Sequence, residues 1–434
     1  MNLTTACAGI LLVGLLTWSV HRWPLWGLAL FTVQRMLWEG LTNDIAPLVE
    51  SGIGLMPSDV VCVALVASAT VRLVGAAHPG GPARIALVAL AALVMLSLLR
   101  GFLTFGVAQP GNEARAAFLQ VCCVALFAAT LPDPKAALRA VARCWVVVAM
   151  VLCVLATVWW GDIGIGSSST VVYVGGERRD ARPLGSPEAL FIAQAALMLL
   201  CGVVWPRLRW LAWPLLATVV LLQHRSAWVA AAVMLVGFAL SRKARARFGL
   251  RPLMWLGSAA LVALLTLAAT AGGTLWSELA ASGTDDKTLV WRFNGWAELL
   301  PHLGTLVDWL IGLPFGSGYL REVNGMFINL SPHNHYVATL LRLGLLGVLL
   351  LLAIHAAVWK AVAVHPHGGL FRVVLAGQLV FLITNTSYPE QALLLGVLIA
   401  CARPAAPVTP LPALLPSPSH APLEQSCRTP AVPR

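Results

Sequence analysis

The sequence predicts an all-α, polytopic integral membrane protein, and three observations carry that prediction. The 434 residues are 59% hydrophobic and only 11% charged, with a mean hydropathy of +0.82. Soluble domains carry about 25% charged residues, so this is not one of them. Apolar runs recur from end to end, and a helix of about 20 such residues crosses a bilayer. The basic residues fall between those runs rather than in a block.

In chain order the apolar segments lie near 4–20, 24–40, 57–76, 84–106, 116–131, 141–160, 188–205, 208–223, 226–241, 253–272, 334–359, 370–384 and 391–402. Several are short, so the expectation is about twelve transmembrane helices. The first has no basic stretch before it and is followed at once by another, which argues against a signal peptide. Residues 1–402 form the membrane domain, and the outer loops 161–187 and 273–332 are its longest connections. From Arg403 the remaining 32 residues hold nine prolines and no apolar period. That composition predicts a disordered cytoplasmic tail. The cysteines sit almost entirely in apolar segments, with neither metal-site spacing nor a disulfide framework.

The net charge of +11 invites a nucleic-acid reading. Its scatter between membrane segments excludes one. The charge instead sets orientation. Segment 241–251 carries five bases and no acid, whereas 273–332 carries three bases against six acids. The positive-inside rule then places 241–251 in the cytoplasm and 273–332 outside. The basic linkers 132–143 and 206–209 alternate correctly with this, and 161–187 and the corner at Arg225 also face outward.

In the larger outer loop, Leu289, Phe293, Trp296 and Leu300 recur at helical spacing. The stripe predicts a helix lying on the bilayer surface. Asp285 and Asp286 suit its positive N-terminus, and Arg292 falls at the stripe's edge. GLPFGSGYL, 312–320, makes a tight turn; it lacks the Lys-Ser/Thr of a phosphate loop. In the smaller loop, Arg178, Arg179 and Arg182 form a cluster suited to lipid head groups or to an anionic substrate. SPE at 186–188 and SPH at 331–333 share a form, with Ser as N-cap and Pro at N1. Glu188 then complements a helix dipole.

Arg225 stands between two apolar segments with almost no loop, and an Arg at membrane depth is a functional hypothesis by default. Arg100 and Arg115 border a segment on the same side. Guanidinium groups bind phosphate bidentately and stay charged when partly desolvated. A lipid-borne pyrophosphate fits such a set, and snorkelling to phospholipid is the plainer reading for any one of them.

The stretch SPHNHYVATLLRLGLLG, 331–347, opens a long apolar segment with two histidines and an asparagine. If Ser331 caps the helix, His333 and Asn334 fall at N2 and N3, where a helix dipole disfavours imidazolium. His333 then stays neutral, as a general base must; capping is the competing role. Gly344 and Gly347 lie about three turns deeper and let a neighbouring helix pack closely. His335 lies roughly 200° round the helix from His333, a poor metal pair.

His-Asn, nine residues, then Gly-x-x-Gly resembles the signature of the O-antigen ligase and polymerase superfamily. His333, Asn334, Gly344 and Gly347 match it position for position. Arg225 matches the Arg of that family's Arg-x3-Leu motif, although Val229 stands where Leu is usual. Arg292, on its amphipathic helix in the large outer loop, also has a family counterpart. The resemblance covers the membrane region to about residue 402. It implies an inverting, metal-independent and cofactor-free glycosyltransferase in the bacterial inner membrane, with its site facing outward. The donor would be a glycan on undecaprenyl pyrophosphate and the acceptor a hydroxyl of a glycan or of lipid A core. His333 would be the base, Arg225 and Arg292 would hold the pyrophosphate, and Asn334 would orient His333. Arg178, Arg179, Arg182 and Arg100 would be further substrate contacts. Ligase and polymerase share this chemistry. A lipid-linked glycan flippase is the rival of another class, and it would need charges along a path through the membrane and repeated halves.

Overall fold

The computed structural model describes residues 3–39, 49–51, 53–75, 81–163, 171–174, 177–180, 183–240, 287–323 and 325–402. The expected segment 253–272, Arg182, the acidic pair Asp285 and Asp286, and the proline-rich tail lie outside the described residues. The described chain is helical. Five helices are long and apolar enough to cross a membrane: 57–74, 82–105, 108–129, 134–161 and 335–364. Five shorter apolar helices accompany them, at 9–22, 186–200, 225–240, 368–381 and 389–401.

The elements run as follows. α1 (Leu3–Arg22), α2 (Pro24–Val33), α3 (Pro57–Val74) and α4 (Pro82–Phe105) precede α5 (Ala108–Ala114) and α6 (Val121–Ala129), which a π-helical stretch, Arg115–Gln120, joins into one rod. α7 (Pro134–Ile163), α8 (Ser186–Leu200), α9 (Ala212–Leu221) and α10 (Arg225–Leu240) follow. Then come α11 (Lys287–Leu299), α12 (Leu306–Ile311), α13 (His335–Ala361), α14 (Gly368–Phe381) and α15 (Pro389–Cys401). Prolines open α2, α3, α4, α8 and α15, where the missing N–H costs nothing.

The all-α expectation needs one addition. Among the described residues, three antiparallel two-stranded hairpins occupy connections: β1 (Val49–Ser51) with β2 (Ile53–Leu55), β3 (Val171–Val174) with β4 (Glu177–Asp180), and β5 (Leu320–Val323) with β6 (Met326–Asn329). The last two belong to the two loops expected to lie outside, so the larger of these carries a hairpin as well as short helices.

Helix pairs close on small residues, as lipid-embedded packing requires. Gly396 of α15 lies against Ala125 and Ala128 of α6, and Gly377 of α14 against Met234 of α10. Trp145 of α7 stacks on Phe191 of α8 at 4.5 Å.

α13 departs most from expectation. Gly344 has φ +62 and ψ −166, a conformation outside any helix and open in practice to glycine alone. A straight helix would put His335 and His355 about 30 Å apart. Both instead line one cavity. The helix is therefore bent sharply at Gly344, which divides it into a short arm, 335–343, and a long arm, 345–361. Gly347 faces Thr339 and Leu343 across the bend. The Gly-x-x-Gly pair makes and fills a bend rather than lying along one continuous helix, and at Gly344 the backbone of α12 approaches closely, as a small residue permits.

Candidate active site

The bend is held by the loop that precedes α13. Gly312, at the end of α12, also has positive φ (+76), and its backbone lies against Arg342 and Leu343 while Gly344 lies against Leu310 and Ile311. Neither approach leaves room for a Cβ. The Leu313 N–H donates to Leu341 O (2.7 Å) and the Ser97 hydroxyl to Arg342 O (2.9 Å), so carbonyls freed by the bend are satisfied. Arg100 donates to the Gly312 carbonyl at 2.9 Å. That bond places Arg100 in the scaffold of this joint.

A second anchor sits beside it. Arg342 is fully buried, pairs with Glu113 and donates to the Gly318 carbonyl, with its guanidinium 4.3 Å from the centre of the Tyr319 ring. Glu113 also accepts the Gly316 N–H at 2.7 Å. The glycine-rich turn at 312–320 is thus a socket for a buried ion pair.

His333 leaves the short arm at its start, and here the capping prediction is corrected. The cap is Asn334, whose side chain accepts the Val337 N–H at 3.0 Å, and the helix begins at His335. Ser331 and Pro332 precede the helix. His333 itself has φ +49, the left-handed region that non-glycine residues enter at a cost of about 1–3 kcal/mol. Three bonds fix the chain on either side. The Trp296 indole donates to Pro332 O (2.7 Å), Arg321 to Leu330 O (2.6 Å), and the His335 N–H to Leu382 O (2.9 Å). SPE is corrected in the same way. Gly185 is the N-cap of α8, and the Ser186 hydroxyl instead donates to Asn385 Oδ1 at 3.0 Å. Glu188 is buried and takes the backbone N–H groups at the helix start, its expected place.

Arg225 opens α10 after a tight corner. Gln223 turns the chain with φ +56, the His224 ring donates from Nε2 to Leu184 O (2.8 Å), and the Trp228 indole ties back to Val219 O (3.0 Å). Arg225 is half-buried there, while Val229, the departure from the motif, is exposed on the outer side of α10. Arg292 on α11 donates to Thr384 O at 3.1 Å, and its Nε has no hydrogen-bond partner. Desolvation, and then the charge of Arg225, lowers the proton affinity of Arg292. His333 is exposed as a residue, but partial desolvation of its ring and then the charges of Arg292 and Arg321 hold its pKa below the ordinary imidazole value. The two cations fix that sign even where solvent reaches the ring. Arg225, Arg292, His333 and Arg321 thus form one electrostatic cluster built from α10, α11, β5 and the turn before α13.

Arg321 is the residue that sequence reasoning passed over. It is buried, bonds Tyr319 O and Leu330 O, lies 5.6 Å from the centre of the Trp291 ring and fits over Gly295. Its signal was faint: an arginine in a loop whose charge otherwise runs acidic. The stripe on α11 is also rotated. Gly295, Leu299 and half-buried Arg292 and Trp296 face the protein, while Phe293 and Val290 are exposed. Arg178 and Arg179 lie on β4, paired with Tyr173 and Val172. Arg115 is drawn away to Asp59 at 3.4 Å.

The cluster brings neutral imidazole beside guanidinium groups that repel one another unless an anion lies between them. Such a site can hold a multiply charged phosphate group and accept a proton next to it. Among the described residues, no three His, Cys, Asp or Glu side chains come together as a metal site would require. No family model matches the chain, and no curated protein matches it.

Proposed function

We propose that the chain is a membrane glycosyltransferase of the O-antigen ligase type. It would transfer a glycan from undecaprenyl pyrophosphate to an acceptor hydroxyl on the outer face of the bacterial inner membrane. One observation carries the proposal: Arg225 and Arg292 lie within electrostatic reach of each other, and Arg292 in turn of His333. Two like charges, partly desolvated and close together, are unfavourable. A pyrophosphate, with negative charge on both phosphorus centres, turns that repulsion into attraction.

In this reading His333 takes the proton of the acceptor hydroxyl as its oxygen attacks the anomeric carbon. The bond from that carbon to the pyrophosphate oxygen breaks from the opposite side, with inversion. Arg225 and Arg292 stabilise the departing lipid pyrophosphate, as preorganised cations do where charge develops. Asn334 holds His333 by capping the helix that follows it. Polymerisation on the lipid carrier would use the same steps with a glycan acceptor. The polar cluster at one end of the helices favours transfer over flipping.

The test is a reconstituted assay with a lipid-linked oligosaccharide donor and a hydroxyl acceptor. Wild type should release undecaprenyl pyrophosphate in proportion to product. Arg225→Lys should be inactive although charge is kept, because an ammonium lacks the planar fork. Full activity in that variant would reject the pyrophosphate reading.

A further inference from the structure

Beneath the short arm of α13 lies a cavity of about 50 Å³, walled mostly by apolar side chains. Polar side chains nevertheless point into it, and three of their atoms have no protein partner: His335 Nδ1, Thr339 Oγ1 and Gln391 Nε2. All three residues are more than nine-tenths buried, at 4%, 1% and 6% exposure.

Thr339 is the most telling of them. Five other helical threonines, Thr32, Thr70, Thr104, Thr157 and Thr218, send their hydroxyls to the carbonyl four residues back. Thr339 leaves that bond unmade. Gln391 Oε1 already accepts from Gln194 (2.6 Å) and Gln378 (2.7 Å), and Gln194 Oε1 accepts the Trp145 indole N–H (3.2 Å). That chain of amides ends at the cavity with the Gln391 N–H groups unused. His355, opposite, bonds Leu351 O through Nδ1 at 2.8 Å. A carbonyl only accepts, so Nδ1 carries the proton, and Nε2 of the neutral ring is an acceptor.

Unsatisfied polar groups in a dry, low-dielectric interior are costly, and an acyl chain could satisfy none of them. We infer that this cavity is a bound-water site: a small cluster of ordered waters bridges His335, Thr339, His355 and Gln391. One water needs about 10–15 Å³ of such space and two to four polar partners, so roughly three to five waters fit. The cluster joins α13 to α15 just below the turn that presents His333, so it would stiffen that turn without touching substrate. The inference stands apart from the transfer reading, because it rests only on burial and unmade bonds.

Radiolytic hydroxyl labelling of the intact protein in lipid nanodiscs tests it. Brief X-ray exposure generates radicals from bound water and oxidises the side chains beside it. We expect oxidation at His335 and Cys122, which line the cavity, and none at Met36 or Phe127, which are likewise buried but lie elsewhere. Thr339→Val should reduce labelling of His335 by several-fold while leaving surface labelling unchanged. Cavity residues as unreactive as Met36 would overturn the inference, whether the space is empty or filled by lipid. So would undiminished His335 labelling in Thr339→Val.

Discussion

His333 shows how a single residue acquires its chemistry from its neighbours. The Ser-Pro that precedes it looks like a helix start, and from sequence that reading is sound. Asn334 wins because its side chain reaches the Val337 N–H, and the left-handed His333 stands outside the helix. The residue type, and Arg292 as a cation near it, could be read from sequence; its backbone geometry and the Arg321 clamp could not, since both depend on contacts distant in sequence. His333→Ala should lower transfer by about 10²- to 10⁴-fold, the usual worth of a general base. The pH profile supplies a sharper test. With its pKa held below the ordinary value, His333 is neutral at pH 7, and turnover should fall only as pH drops through that lowered pKa. Arg321→Met removes one of the two cations, so the acid limb of kcat/KM should move to higher pH, while Arg321→Lys leaves it in place. Structural damage alone would lower the plateau without moving the limb. His335→Ala, which a straight helix would make harmless, should instead destabilise the protein. The ring is buried and packs 5.6 Å from the Phe118 ring centre. Truncation should cost about 2–4 kcal/mol, read as a lower Tm in detergent.

Among the elements, α13 carries the main lesson. Its apolar run and both glycines were plain in the sequence, yet periodicity cannot tell a continuous helix from a bent one. The bend is decided by α12, thirty residues earlier in the chain, whose last backbone groups lie flat against Gly344. Gly344→Ala would need both a positive φ and space that Leu310 occupies. It should cost on the order of 3 kcal/mol in strain and overpacking, and abolish accumulation of folded protein. Leu345→Ala is the control. That side chain is 44% exposed on the outer surface of the helix, so its loss should lower the Tm only slightly. The same comparison explains the rotated stripe on α11. Its sequence offers two apolar faces, and only the Trp296 bond to Pro332 and the fit of Gly295 under Arg321 choose between them.

At the scale of the whole molecule, helical character and membrane spans follow from composition, and the positive-inside rule predicts which side each loop takes. Exposed apolar side chains around α4 and α13, such as Leu99, Leu103, Leu349 and Leu352, make sense only against lipid. The distribution of charge has a consequence that does not depend on catalysis. Asn294 and Glu322, exposed on α11 and β5, should share one side with His333; Lys135 and Lys360, exposed near the far ends of α7 and α13, should share the other. Asn294→Cys, Glu322→Cys, Lys135→Cys and Lys360→Cys would each be placed singly in a cysteine-free background. Spheroplasts would then be treated with a membrane-impermeant maleimide, before and after lysis. Asn294→Cys and Glu322→Cys should label at once, and the two lysine-site variants only after lysis. The opposite pattern would put His333 and its arginines in the cytoplasm. There an outward-presented lipid-linked glycan could not reach them, and the transfer reading would fail.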